Sequence, residues 1–151
     1  MNMMNDPNAA RKAWLGLLAK APAADLARLW DAFAEIPDHD LLRAPEIGGV
    51  MVRGRAGAIG AAFNLGEMTV TRASVKLACG TVGHGYVQGR DKTHALTAAL
   101  VDALMQTAAA GRVEAQVLTP LRDLMQARKD VRAAKAAATK VDFFTMVRGE
   151  D

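Results

Sequence analysis

Cysteine is almost missing from this sequence: Cys79 is the single one in 151 residues. One thiol forms no internal disulfide, and by itself it holds neither a zinc ion nor an iron–sulfur cluster. The expected compartment is therefore the cytoplasm, and the first residues show no charged stretch leading into the apolar segment of a signal peptide. Aromatic residues make up only 5%, so the core has to rest on Ala, Leu, Val and Met. The three histidines, His39, His84 and His94, lack metal-ligand spacing, and there is neither an H-E-x-x-H helix nor a G-x-x-x-x-G-K-[ST] phosphate loop. No nucleophile–base arrangement has local support. The sequence thus assigns no catalytic residue, no metal ligand and no cofactor to this chain. The longest apolar runs, such as 98–105, are too short to span a bilayer, and that one contains Asp102.

What remains is ordinary for a folded domain. Apolar residues are 51% and charged ones 23%, and the length suits one domain over 1–151 with a core of its own. The net charge is +3. This permits anionic partners but falls short of the basic stripe of a nucleic-acid binder. Neither nucleic acid nor membrane is expected as a partner.

Periodicity predicts an α+β chain. Asp6-Pro7 reads as a cap followed by proline and opens a helix to about Lys20, which Ala21-Pro22 breaks. A second helix, about 23–35, carries Leu26, Leu29, Trp30 and Phe33 at helical spacing. Alternation then predicts strands at 48–55, 63–65, 68–78 and 81–88, with turns at Gly66-Glu67 and Cys79-Gly80, forming an antiparallel meander. Asp91 is the expected cap of a helix reaching about Ala110, stopped by Gly111. Thr119-Pro120 opens another helix to about Ala138, and 141–147 is a last short extended piece. The helix at 120–138 has a thin apolar stripe of Leu121, Leu124, Met125 and Val131 beneath many cations. It is either a solvated outer face or a docking surface for a partner.

Two segments draw attention. In the first, Gln88-Gly89-Arg90-Asp91-Lys92-Thr93-His94 places cations where a strand ends and a helix begins. A helix start offers unpaired N–H groups and partial positive charge to an anion, and Arg90 has the fork to clamp a phosphate or phosphonate. Gln88, Gly89, Arg90, Asp91, Lys92 and His94 are thus anion-site or interface candidates. The competing reading is local: Gly89 makes a tight turn, Asp91 caps the helix and Arg90 pairs with a nearby acid. The second segment is the ending, where Phe143 and Phe144 sit beside Met146 and Val147. Such an apolar end is buried either in its own sheet or in a partner, and Phe143, Phe144, Met146 and Arg148 are the anchor candidates.

These same two segments carry a family resemblance. The run from Val87-Gln88-Gly89-Arg90-Asp91-Lys92-Thr93-His94-Ala95 on to Leu104-Met105-Gln106, and the ending Lys140-Val141-Asp142-Phe143-Phe144-Thr145-Met146-Val147-Arg148-Gly149, resemble the G-subunit family of the bacterial carbon–phosphorus lyase core complex. The sequence departs from the pattern at Cys79-Gly80, where relatives can have Asp-Gly, and at His84, where they can place an aromatic. The resemblance implies a cytoplasmic, accessory subunit in phosphonate catabolism. It implies the H, I, J and L proteins as partners, with the I subunit in direct contact and, for the isolated chain, a second copy as a substitute. ATP would be a co-substrate of the complex: methylphosphonate displaces adenine at the ribose C1′ carbon, giving a ribose 1-methylphosphonate 5-triphosphate, and a later radical step on the J subunit cuts the carbon–phosphorus bond. The alternative from the residues alone is a stand-alone enzyme binding a phosphate ester at Gly89–His94, with Asp91 or His94 as acid–base.

Overall fold

The computed structural model describes residues 8–57 and 59–141. The expected α+β class is what the chain adopts, with helices at both ends of an antiparallel sheet. Helix α1 spans Ala9–Lys20 and α2 Ala23–Phe33. They are separated by Ala21, held extended at φ −62°, ψ 144° because the proline after it disfavours helical geometry. Asp6 and Pro7, the expected opening of α1, lie outside the described residues. Helix α2 ends two residues earlier than expected, at Phe33, where Ala34 turns left-handed (φ 57°) and gives its amide to the Trp30 carbonyl.

The sheet has three strands in the order β1-β2-β3: His39–Arg55, Ala62–Leu77 and Val82–Gln88. Two expected strands merge into one here. Gly66-Glu67 makes no turn; Gly66 pairs with Val52 and Glu67 with Met51 inside one continuous β2. Glycine and an acid suit a turn, but here the irregularity is a bulge, with Val52 opposite Gly66 and Arg53 opposite Asn64. Residues 39–47 also join β1, which the alternation did not reveal because the register shifts twice there, between Leu41 and Arg43 and between Arg43 and Glu46. The turn at Cys79-Gly80 is present, with Gly80 at φ +89°.

Helix α3 spans Lys92–Leu104 and lies directly on β3. The contact is backbone to backbone. A Cβ placed on Gly85 would stand 1.9 Å from the Ala95 carbonyl oxygen, and one on Gly83 would stand 2.1 Å from that of Ala99. Small residues at 83 and 85 on the strand and at 95, 99 and 103 on the helix therefore form one close-packed seam. The rest of the core fills in around it: Leu18 from α1, Leu26, Trp30 and Phe33 from α2, Val75 and Val87 from the sheet.

The last helical run differs from expectation. Gly111 stops nothing; it lies within a short helix α4, Ala110–Val113, which passes through a π-helical turn at Glu114–Leu118 straight into α5, Thr119–Ala138. Thr119 is therefore no cap; its φ −63°, ψ −51° are helical and its amide reaches back to Glu114. Pro120 explains the widened turn. A proline ring crowds the carbonyl four residues earlier and donates no N–H, and one π-type turn relieves both problems. Of the last extended piece only Val141 is described, exposed and without regular structure; Phe143, Phe144, Met146 and Arg148 lie outside the described residues.

Candidate functional site

The start of α3 follows the local reading closely. Gly89 adopts φ +96°, which glycine alone takes without strain. Its amide donates to the Thr69 carbonyl (3.0 Å), and its own carbonyl accepts from the Thr71 hydroxyl (2.8 Å). Asp91 caps the helix, its Oδ1 accepting the His94 amide at 2.9 Å. Gln88, Arg90 and Lys92 are exposed, and neither Arg90 nor Lys92 forms an ion pair with a described residue.

His94 departs from the cluster. It is 6% exposed, and its Nε2 donates to the carbonyl of Leu18 at 2.9 Å. The reason lies in α1. The carbonyl of Leu18 would normally accept from the amide four residues on, but that residue is Pro22, which has none. A buried carbonyl without a donor is costly, and the imidazole supplies the missing bond. The ring thus points away from any ligand at the helix start. We expect His94→Ala to lower stability by about 1–3 kcal/mol in urea denaturation, and Lys92→Ala to change it by less than about 0.5 kcal/mol.

The most heavily hydrogen-bonded carboxylate among the described residues is one that the sequence offered only as a charge within an apolar run. Asp102 on α3 is fully buried. Its Oδ1 accepts from Arg11 Nε (3.1 Å) and Trp14 Nε1 (2.9 Å); its Oδ2 accepts from Arg11 Nη2 (2.7 Å) and the His84 amide (2.9 Å). Four donors from α1 and β3 thus converge on one carboxylate, and the hydrogen bond to Asp102 holds the Arg11 guanidinium above its ordinary pKa. One turn on, Gln106 Nε2 donates to the Val82 carbonyl at 2.9 Å. Together these side chains close the free edge of β3, which would otherwise offer unpaired backbone to another strand. This is a structural network, and it leaves His84 exposed, its Nδ1 2.9 Å from the Ser74 hydroxyl.

Two surfaces lack such closure. Beyond Val70 β2 has no β3 beside it, so 48–55 and 62–69 run on as a two-stranded arm. Met51, Phe63 and Leu65 stand exposed along it, Ile47 is exposed just before it, and Ile59 is 97% exposed at its end. A two-stranded ribbon is marginal in water by itself; the register places Phe63 and Leu65 on one face and Met51 on the other, and apolar groups exposed on it mark a contact surface. Near its base Glu46 pairs with Arg43 and with Arg72 (2.7 Å), and Arg43, then Arg72, keep its carboxyl below the usual range. The second surface is a basic cleft between the α1–α2 corner and α5. Among the described residues no three His, Cys, Asp or Glu side chains gather as metal ligands, and no helix is long and apolar enough to cross a membrane.

Comparison with known proteins places nearly all of the sequence in one family. The family model described as phosphonate metabolism protein PhnG covers residues 9–149. The alpha-D-ribose 1-methylphosphonate 5-triphosphate synthase subunit PhnG of Rhizobium meliloti (strain 1021) is 49% identical over 148 residues, 95% of this chain and 92% of its own.

Proposed function

The chain belongs to the phosphonate metabolism protein PhnG family, and from that premise we propose that it is an accessory subunit of a ribose 1-methylphosphonate 5-triphosphate synthase. In this reading the complex transfers the ribose triphosphate of ATP to methylphosphonate and releases adenine. The chain works with the H, I, J and L proteins, the I subunit being its direct contact, in the cytoplasm. It brings no cofactor and no catalytic side chain of its own.

The observation that carries this reading is the arm. Its exposed Phe63 and Leu65 on one face and Met51 on the other lie on a ribbon that has no third strand among the described residues, a geometry that another protein's surface completes. Gln88, Arg90 and Lys92 supply a polar contact beside the sheet. Phe143, Phe144, Met146 and Arg148 are the proposed anchors at the end of the chain. The stand-alone enzyme is less well supported, because His94 is turned into the core and Asp91 is engaged as a helix cap.

The test is a double substitution, Phe63→Asp with Leu65→Asp. Both side chains are exposed in the chain alone, at 45% and 66%, so the melting temperature should hold, with stability changing by no more than about 0.5 kcal/mol. Recovery of the other subunits on a tag carried by this chain should be lost. Unchanged recovery of the complex would exclude the arm as the contact.

A further inference from the structure

Five cations gather in the cleft where the α1–α2 corner faces α5. Lys20, the last residue of α1, meets Arg122, Arg128, Lys129 and Arg132 of α5 around a cavity of about 540 Å³. That volume suits a small ligand. Residues 122, 125, 129 and 132 recur at helical spacing and share one face. From 122 to 132 that face runs about 15 Å, longer than one phosphate needs. Leu17 and Met125, partly buried against the core, form an apolar floor.

Two of these five cations are paired with an acid. Arg122 has Glu114 at 3.1 Å and Arg128 has Asp25 at 2.8 Å. Lys20, Lys129 and Arg132 have no ion pair with a described residue, and no carboxylate lines the cleft. Gathering like charges over an apolar floor opposes folding unless something of opposite sign fills the gap. Lys20, Lys129 and Arg132, with the ion-paired Arg122 and Arg128 beside them, line a slot that suits an extended polyanion better than a single compact one.

We propose that this cleft binds a polyphosphate chain. Its identification with the triphosphate arm of the substrate or product rests on the subunit reading above; the binding site itself rests on the charge geometry. The α3 start is a separate place: Arg90 and Lys92 belong to another element and do not line the cleft.

The test titrates the isolated full chain with inorganic tripolyphosphate by calorimetry at low salt. Tripolyphosphate should bind more tightly than pyrophosphate or phosphate, and binding should weaken as salt is added. The double variant Lys129→Glu, Arg132→Glu should bind at least about tenfold more weakly with an unchanged melting temperature. Arg90→Ala with Lys92→Ala should bind as the parent chain does. Absence of tripolyphosphate binding, or equal binding by the Lys129 and Arg132 variant, overturns the proposal, and it does so even if the complex assembles normally. If the cleft variant instead sheds its partner subunits while the parent chain ignores tripolyphosphate, the cleft is a groove for an acidic protein and the proposal is likewise overturned. Tripolyphosphate binding by a chain that assembles with no other subunit would sink the subunit reading and leave the site standing.

Discussion

Replacing Gly85 by alanine should destabilise the chain by about 3 kcal/mol or more, a large part of the ~5–15 kcal/mol typical of a domain. One methyl group has this effect because of what it meets. The new carbon would lie 1.9 Å from the carbonyl oxygen and 2.9 Å from the carbonyl carbon of Ala95, and 3.0 Å from the amide of Ala99. All three are backbone atoms of α3, so no rotamer change relieves the clash. The helix itself has to move, and with it go Val101, Leu100 and the seam that joins helix to sheet. The control is the same substitution where nothing stands within 4 Å, at Gly16 in α1 or Gly111 in α4. There alanine should stabilise by about 0.5–1 kcal/mol, since glycine loses more backbone freedom in a helix. Opposite signs for one chemical change, read by urea denaturation, would show that the approach of α3 to β3 decides the outcome. A Gly85→Ala chain as stable as the parent would show that the seam is looser than described.

Loss of Asp102 should be comparable. Asp102→Ala removes the acceptor for Trp14 Nε1, for the His84 amide and for two nitrogens of Arg11. Removing one partner from a buried charged network typically costs ~3–5 kcal/mol. The figure here belongs toward the lower end, because the Arg11 side chain is 31% exposed and can turn to water. Asp102→Asn should fall between: the shape is kept, but one acceptor becomes an amide that faces donors. The His84 amide would then exchange its proton faster, because its bond closes the β3 edge. Protection of that amide together with the denaturation midpoint checks the prediction. Unchanged values for both variants would mean that the network is not what joins α1 to the sheet.

How far the sequence announced these features depends on whether their cause is local. The alternation of Arg72, Ser74 and Lys76 against Ala73, Val75 and Leu77 places the second half of β2 directly, because a strand's faces follow from period two. The Asp91 cap was equally legible, since cap and first turn lie within three residues. By contrast, nothing beside Gly83 and Gly85 in the sequence says that they admit a helix. Their partners, Ala99 and Ala95, are local to another element. Asp102 was visible as a charge in an apolar run, and a buried acid does call for donors. Nothing nearby, however, named Arg11 or Trp14, 91 and 88 residues away in the chain. His94 was placed among the cations for its neighbours in sequence, while its ring answers to Pro22 through the orphaned Leu18 carbonyl. The π-helical turn had one local cause, Pro120, but a proline near a helix start reads more simply as a beginning.

The candidate surfaces divide in the same way. Cations on α5 are plain in sequence; that Lys20 faces them across a cleft is a tertiary fact. The arm was hidden because Gly66-Glu67 suggested a turn, and a turn there would have shortened the ribbon that now stands free of β3.

The most direct measurement of the accessory-subunit claim is adenine release from ATP and methylphosphonate by the reconstituted complex, with and without this chain. We predict that release falls to background when the chain is omitted and returns when it is added back. The Phe63→Asp, Leu65→Asp chain should fail to restore it. Full adenine release without the chain would contradict the claim.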